Sequence, residues 1–143
     1  MKGQVSTELI IIIGVILVLF IPVLITIYLK ATEANEQIAS FQSDIALSRL
    51  ANTVNSIGQL GEDAYTIAEV HIPAEAEKIE FNNFGEGGEI VIQVQREGSI
   101  SELVEVVKFP MAASPEVIDN PHEGIHRFRI TNQGEQVAVE LLS

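Results

Sequence analysis

A Gly3-Gln4 peptide bond stands four residues ahead of a carboxylate, Glu8, in the segment Lys2-Gly3-Gln4-Val5-Ser6-Thr7-Glu8, and an apolar run begins at the next residue. A lone carboxylate beside such a run is costly to desolvate unless it is paired or protonated. Cleavage between Gly3 and Gln4 would create an α-amine four residues from Glu8. That amine is a cationic partner for the carboxylate, in the same subunit or in the next. The cut would also remove Lys2, so that packed N-termini would carry neutralised charge. The simpler alternative is a helix first turn, with Ser6 or Thr7 as the cap and Glu8 favoured by the helix dipole.

The other reactive side chains form weaker groupings. His122 and His126 have the i,i+4 spacing of a helical metal pair, but Pro121 and Gly124 place them at a loop and a strand start. Exposed polar residues are the expectation there. Glu62 with Asp63, and Glu75 with Glu77, are acidic pairs without the Asp-x-Asp-x-Asp-Gly loop of a calcium site. Ser99, Ser101 and Ser114 have no motif that marks a nucleophile, and no glycine-rich phosphate loop joins a strand to a helix. Arg127 and Arg129 share a strand face, where pairing with nearby Glu residues is expected. The expectation is a chain that is not an enzyme, with no catalytic residues, no metal and no cofactor.

Composition narrows the partners. The chain has 143 residues, 20 acidic against 8 basic, and a formal net charge of −12. That imbalance opposes binding to nucleic acid and to anionic lipid headgroups. With no cysteine there is no disulfide, no thiolate metal site and no lipid-modified cysteine.

These residues have to be positioned by an unusual N-terminal element. Residues 9–25 are apolar except for Gly14 and Pro22, and with Ile27, Tyr28 and Leu29 the run reaches about 20 residues, the length that spans a hydrocarbon core. Lys2 lies on one side and Lys30, Glu33 and Glu36 on the other, which orients Met1 toward the cytoplasm. Thr26 to Lys30 offer no small-residue cleavage site, so the segment is expected to stay on the protein as a single-pass anchor. Pro22 removes one helix hydrogen bond and is the expected kink.

The pattern Gln4-x-Ser6-x-Glu8-x-x-x-Ile12, after Lys2-Gly3, resembles the class III signal peptide of archaeal type IV pilin-like proteins. That family's pattern is Q-x-S-x-E-x-x-x-L behind a short basic leader ending in glycine. The resemblance covers residues 1–12, and Ile12 stands where the family has leucine. It implies that a prepilin peptidase cuts after Gly3 and that Gln4 becomes the mature N-terminus. It also implies that Glu8 is the acid used in assembly. The implied product is a homopolymer built by pilus assembly machinery from membrane-held subunits, giving an extracellular adhesion filament. An archaellin shares the processed leader and helical core, but the Gln4-x-Ser6-x-Glu8 pattern looks more like the pilin branch.

Beyond the anchor, residues 31–58 contain no proline, and Ile38, Phe41, Ile45, Leu47, Leu50, Val54 and Ile57 recur at helical spacing. This predicts one rod, roughly 80 Å long at 1.5 Å per residue. Its apolar stripe should be covered by the C-terminal domain, and Gln37, Gln42, Asp44, Asn52 and Asn55 should face solvent. Gly58 and Gly61 fit the helix C-terminus. From Ala64 the period changes to two, with strands expected at 66–72, 78–84, 89–95, 101–109, 125–131 and 136–142. Glycine-bearing turns are expected at 85–88, 96–99 and 132–135, and residues 110–124 are expected to be the longest irregular loop. The expected fold is α+β: a leader at 1–3, a long helix at 4–60, and a small antiparallel sheet or sandwich at 64–143.

Two functional classes fit this organisation. One is a filament subunit held by helix packing; the other is a minor pilin or a membrane-anchored extracellular binding module. Carbohydrate stacking has little support, because Trp is absent and Tyr28 and Tyr65 are the only tyrosines.

Overall fold

The computed structural model describes residues 2–96 and 98–142, with side chains described from Thr7 onward. It contains one helix, α1 (Lys2–Gly58), followed by eight strands. These are β1 (Tyr65–Ile72), β2 (Ala76–Phe84), β3 (Gly87–Arg96), β4 (Ser99–Val107), β5 (Met111–Ser114), β6 (Val117–Asp119), β7 (Gly124–Asn132) and β8 (Val137–Leu141). The chain divides into two compact units, Met1–Asn35 and Glu36–Ser143. The break falls inside α1, so the last part of the helix belongs to the unit that carries the strands.

The strands form two four-stranded sheets, ordered β1-β7-β8-β5 and β4-β3-β2-β6. All six strands expected from the period-two pattern are present, with their ends shifted. Phe84 pairs with Gly87 across a two-residue turn, and Gly85 supplies the positive φ of 57° that this tight reversal requires. Two corrections concern residues 110–124. The segment is not an irregular loop, because it contributes β5 to one sheet and β6 to the other. The domain is also not wholly antiparallel, since β5 runs parallel to β8. Strands of four and three residues, set among Pro110, Pro115 and Pro121, are too short to establish a period.

The core is shared by the helix and the inner faces of both sheets. Leu50, Val54 and Ile57 of α1 join Ile79, Ile90 and Ile92 of one sheet and Val70, Phe128 and Ile130 of the other. The rings of Phe81 and Phe128 meet across the two sheets at 6.2 Å. The helix face in this core differs from the expected one. Leu47, Leu50, Val54 and Ile57 are buried, but Ile38, Phe41 and Ile45 are exposed. The buried positions at that end are Ala39, Ser40, Ser43 and Ala46, all small. Close packing there selects short side chains and turns the larger neighbours outward. Gln37, Asp44 and Asn52 are exposed as expected, whereas Gln42 and Asn55 are half-buried.

Polar contacts fasten the elements together. Asn55 Oδ1 accepts from the Lys108 amide at 2.8 Å. Asn83 donates to the Met111 carbonyl at 2.6 Å and accepts from the Met111 amide at 2.7 Å, so one side chain acts as a strand neighbour to the start of β5. Ser43 Oγ is buried and, among the described residues, has no hydrogen-bond partner. Ser43→Ala removes that unsatisfied group at almost unchanged shape and is expected to stabilise the domain by about 1 kcal/mol. Urea denaturation of the detergent-solubilised chain measures this, and a loss of stability would show that the hydroxyl has a use.

Candidate functional site

In the unit Met1–Asn35, the described residues all belong to α1. Leucine, isoleucine and valine have no polar group to compete with the helix backbone, which lets a run of them continue as helix in an apolar medium. Every large apolar side chain from Leu9 to Leu29 is exposed, with values such as 70% for Val18 and 67% for Ile10. Among the described residues none covers this surface. α1 is long and apolar enough to cross a membrane.

Glu8 is exposed on the same helix, at the edge of the apolar surface. The helix begins at Lys2 and has no acidic residue in its first turn. Glu8 is therefore not the helix-start residue of the alternative reading, and Ser6 and Thr7 do not occupy the cap position. The carboxylate lies inside the helix, where backbone N–H groups are already used by the helix itself. The backbone of Gly3, Gln4 and Ser6 is helical, and their side chains lie outside the described residues. Ile12 is exposed with the rest of the run.

The helix continues through Pro22, which has no N–H to give to the preceding turn. Thr26 Oγ1 donates to the Pro22 carbonyl at 2.8 Å, and Thr32 Oγ1 donates to the Tyr28 carbonyl at 3.2 Å. Both hydroxyls are thus satisfied within the helix. Lys30 pairs with Glu33 at 3.3 Å where the apolar run ends.

In the unit Glu36–Ser143 the histidine pair is not arranged as a metal site. His126 Nε2 lies 2.6 Å from the His122 carbonyl, so that nitrogen donates a hydrogen bond to the backbone. Among the described residues, no group of three His, Cys, Asp or Glu side chains is placed to hold a metal. Arg129 pairs with Glu140 at 3.5 Å as expected. Arg127 does not pair as expected: Glu69 stands opposite it in the β1–β7 register, but among the described residues Arg127 has no ion pair.

Sequence reasoning missed two features. One is the exposed row Ile38, Phe41 and Ile45, whose spacing signalled a helix but not which side of it would be covered. The other is Asn132, the buried last residue of β7, whose amide donates to the carbonyls of Ile57, Gly58 and Leu60 at 3.1, 3.4 and 2.7 Å. No basic residue lies in the last turn of α1, so the sheet supplies the donor that the helix end lacks. No local signal marks a residue 72 to 75 positions away in sequence as a helix cap. No protein-family model, curated protein or solved structure matches this chain.

Proposed function

We propose that the chain is a structural subunit of an archaeal type IV pilus-like surface filament, held in the membrane by α1 before assembly and polymerised through that helix. The observation that carries this reading is that every large apolar side chain from Leu9 to Leu29 is exposed, with Glu8 at the N-terminal edge of that surface. Burying a Leu, Ile, Val or Phe side chain contributes about 1.5–3 kcal/mol, so this surface represents tens of kcal/mol that lipid or packed helices must recover. The exposed Ile38, Phe41 and Ile45 add support. Together with Ile27, Ala31 and Ala34 they recur in alternating steps of four and three residues, the spacing of a helix-packing seam. The Gln4-x-Ser6-x-Glu8 motif supplies the processing step and the charge partner.

A membrane-anchored extracellular binding module uses the same anchor but needs neither cleavage nor the row at Ile38. The two readings separate on the intact mass and N-terminal peptide of protein sheared from native cells. A mature chain beginning at Gln4 in a high-mass fraction is the expected result. A chain beginning at Met1 and found only in membranes would replace the filament subunit with the anchored module.

A further inference from the structure

We propose that the groove between α1 and the free edge of β1 binds an extended acidic segment of another protein, which adds to β1 as a further strand and places one carboxylate on Arg49. The inference is independent of the filament reading, because it concerns only the Glu36–Ser143 unit.

β1 stands at the end of its sheet and pairs only with β7. Among the described residues no other backbone hydrogen bond reaches Tyr65–Ile72, so one side of this eight-residue strand keeps its N–H and C=O groups for a partner. Such an edge takes an added strand through main-chain hydrogen bonds, and pockets beside it select the side chains. Two clefts lie between this edge and α1, and they share Arg49. The first, of 440 Å³, has Asn52, Thr53, Ser56 and Thr66 in its wall; the second, of 260 Å³, has Ile45, Ala46, Val70 and His71.

Charge commits the groove to an acid. Arg49 is exposed, and among the described residues its guanidinium has no ion pair and no hydrogen bond. No carboxylate lines either cleft. Glu105 meets the preceding residue, Ser48, at 3.5 Å without pairing with Arg49, and Glu69 of β1 lies on the outer face opposite Arg127. The hydroxyls of Thr53 and Ser56 donate to the carbonyls of Arg49 and Asn52, both at 2.7 Å. The donors left in the first cleft are therefore the Arg49 guanidinium, the Asn52 amide and the Thr66 hydroxyl, a set that suits an acceptor-only carboxylate. A net charge of −12 keeps polyanions off the chain as a whole, but one cation can take one carboxylate.

Spacing fixes what accompanies that acid. Ile45, Arg49 and Asn52 follow one another at about one helical turn, roughly 5 Å. Alternate residues of a strand, which share a face, lie about 6.7 Å apart. An added strand thus presents an apolar residue to Ile45, an acid to Arg49 and a small polar residue to Asn52, each two positions from the next. Among the described residues, the core-side positions of this chain's other free edges, β4, β5 and β6, carry one carboxylate, Glu105, and it already accepts from Ser48. The occupant is therefore a segment of a different protein.

The probe is the capped peptide Thr-Val-Thr-Glu-Thr-Ser-Thr, labelled for fluorescence anisotropy and added to the detergent-solubilised full-length chain. Saturable binding is expected, with slowed amide exchange in residues 65–72. Arg49→Gln should weaken it by about tenfold to a hundredfold, with an unchanged thermal midpoint. Exchanging the peptide's Glu for Gln should weaken binding to the parent chain equally and make it insensitive to Arg49→Gln. Absence of saturable binding, equal binding of the Gln peptide, or binding without protection of residues 65–72 would each overturn the proposal. A uronic-acid oligosaccharide that binds through Arg49 where the peptide does not would overturn it in favour of an acidic sugar.

Discussion

Glu8→Gln is expected to abolish the high-mass surface fraction while leaving the Glu36–Ser143 unit folded. The substitution keeps the shape of the side chain and deletes only its charge. In the proposed assembly that charge meets the α-amine of Gln4, from the same or a neighbouring subunit, in an apolar surrounding. Removing one member of a buried ion pair costs about 3–5 kcal/mol, because the other charge is left without compensation. At about 1.4 kcal/mol per tenfold, a loss of that size at each subunit addition removes at least a hundredfold in polymer stability. Glu8→Ala should behave alike. The sheared fraction is quantified against total membrane-held chain, and normal filaments from both variants would end the role assigned to Glu8. Glu8 lies inside α1 and outside the Glu36–Ser143 unit, so resistance of that unit to protease should be unchanged.

Asn132→Asp is expected to destabilise the strand-bearing unit by about 2–4 kcal/mol, lowering its thermal midpoint by roughly 10–20 °C. Asn132 is 5% exposed, and its amide serves three carbonyls at the end of α1 while its Oδ1 accepts from the Gly134 amide at 2.7 Å. Its own backbone amide donates to the Ala64 carbonyl, and its carbonyl accepts from the Asp63 amide. Aspartate keeps the shape but turns an acceptor, and a charge, toward carbonyl oxygens that need a donor. Asn132→Ala leaves those carbonyls unsatisfied without adding repulsion, so its loss should be smaller. Thermal denaturation of the solubilised chains gives the order directly. An aspartate variant as stable as the parent would mean that water, not Asn132, satisfies the helix end.

In the proposed filament, assembly and domain stability would depend on different residues, because the two units expose and bury different surfaces. Among the described residues nothing covers the large apolar side chains from Leu9 to Leu29, which in the proposed reading are covered by lipid or by other copies. The Glu36–Ser143 unit buries its own core against the last part of α1 and both sheets. Variants in the first should alter assembly, and variants in the second should alter folding.

The length and apolar character of α1, its end near Gly58 and the six longer strands were all legible in the sequence. Each depends on a local period, a composition or a glycine, which neighbouring residues decide among themselves. Tertiary structure alone decided which helix face is covered. Ile38 and Ser43 are equally compatible with a helix, and only the approach of the sheets, which demands small residues, buries Ser43 and leaves Ile38 outside. It alone decided the short strands β5 and β6, whose pairing energy comes from partners distant in sequence. It alone made Asn132 the cap of a helix that ends 74 residues earlier and left Arg127 without the pairing its strand neighbours offered. Local patterns carry no information about contacts between distant segments, and these features consist of such contacts.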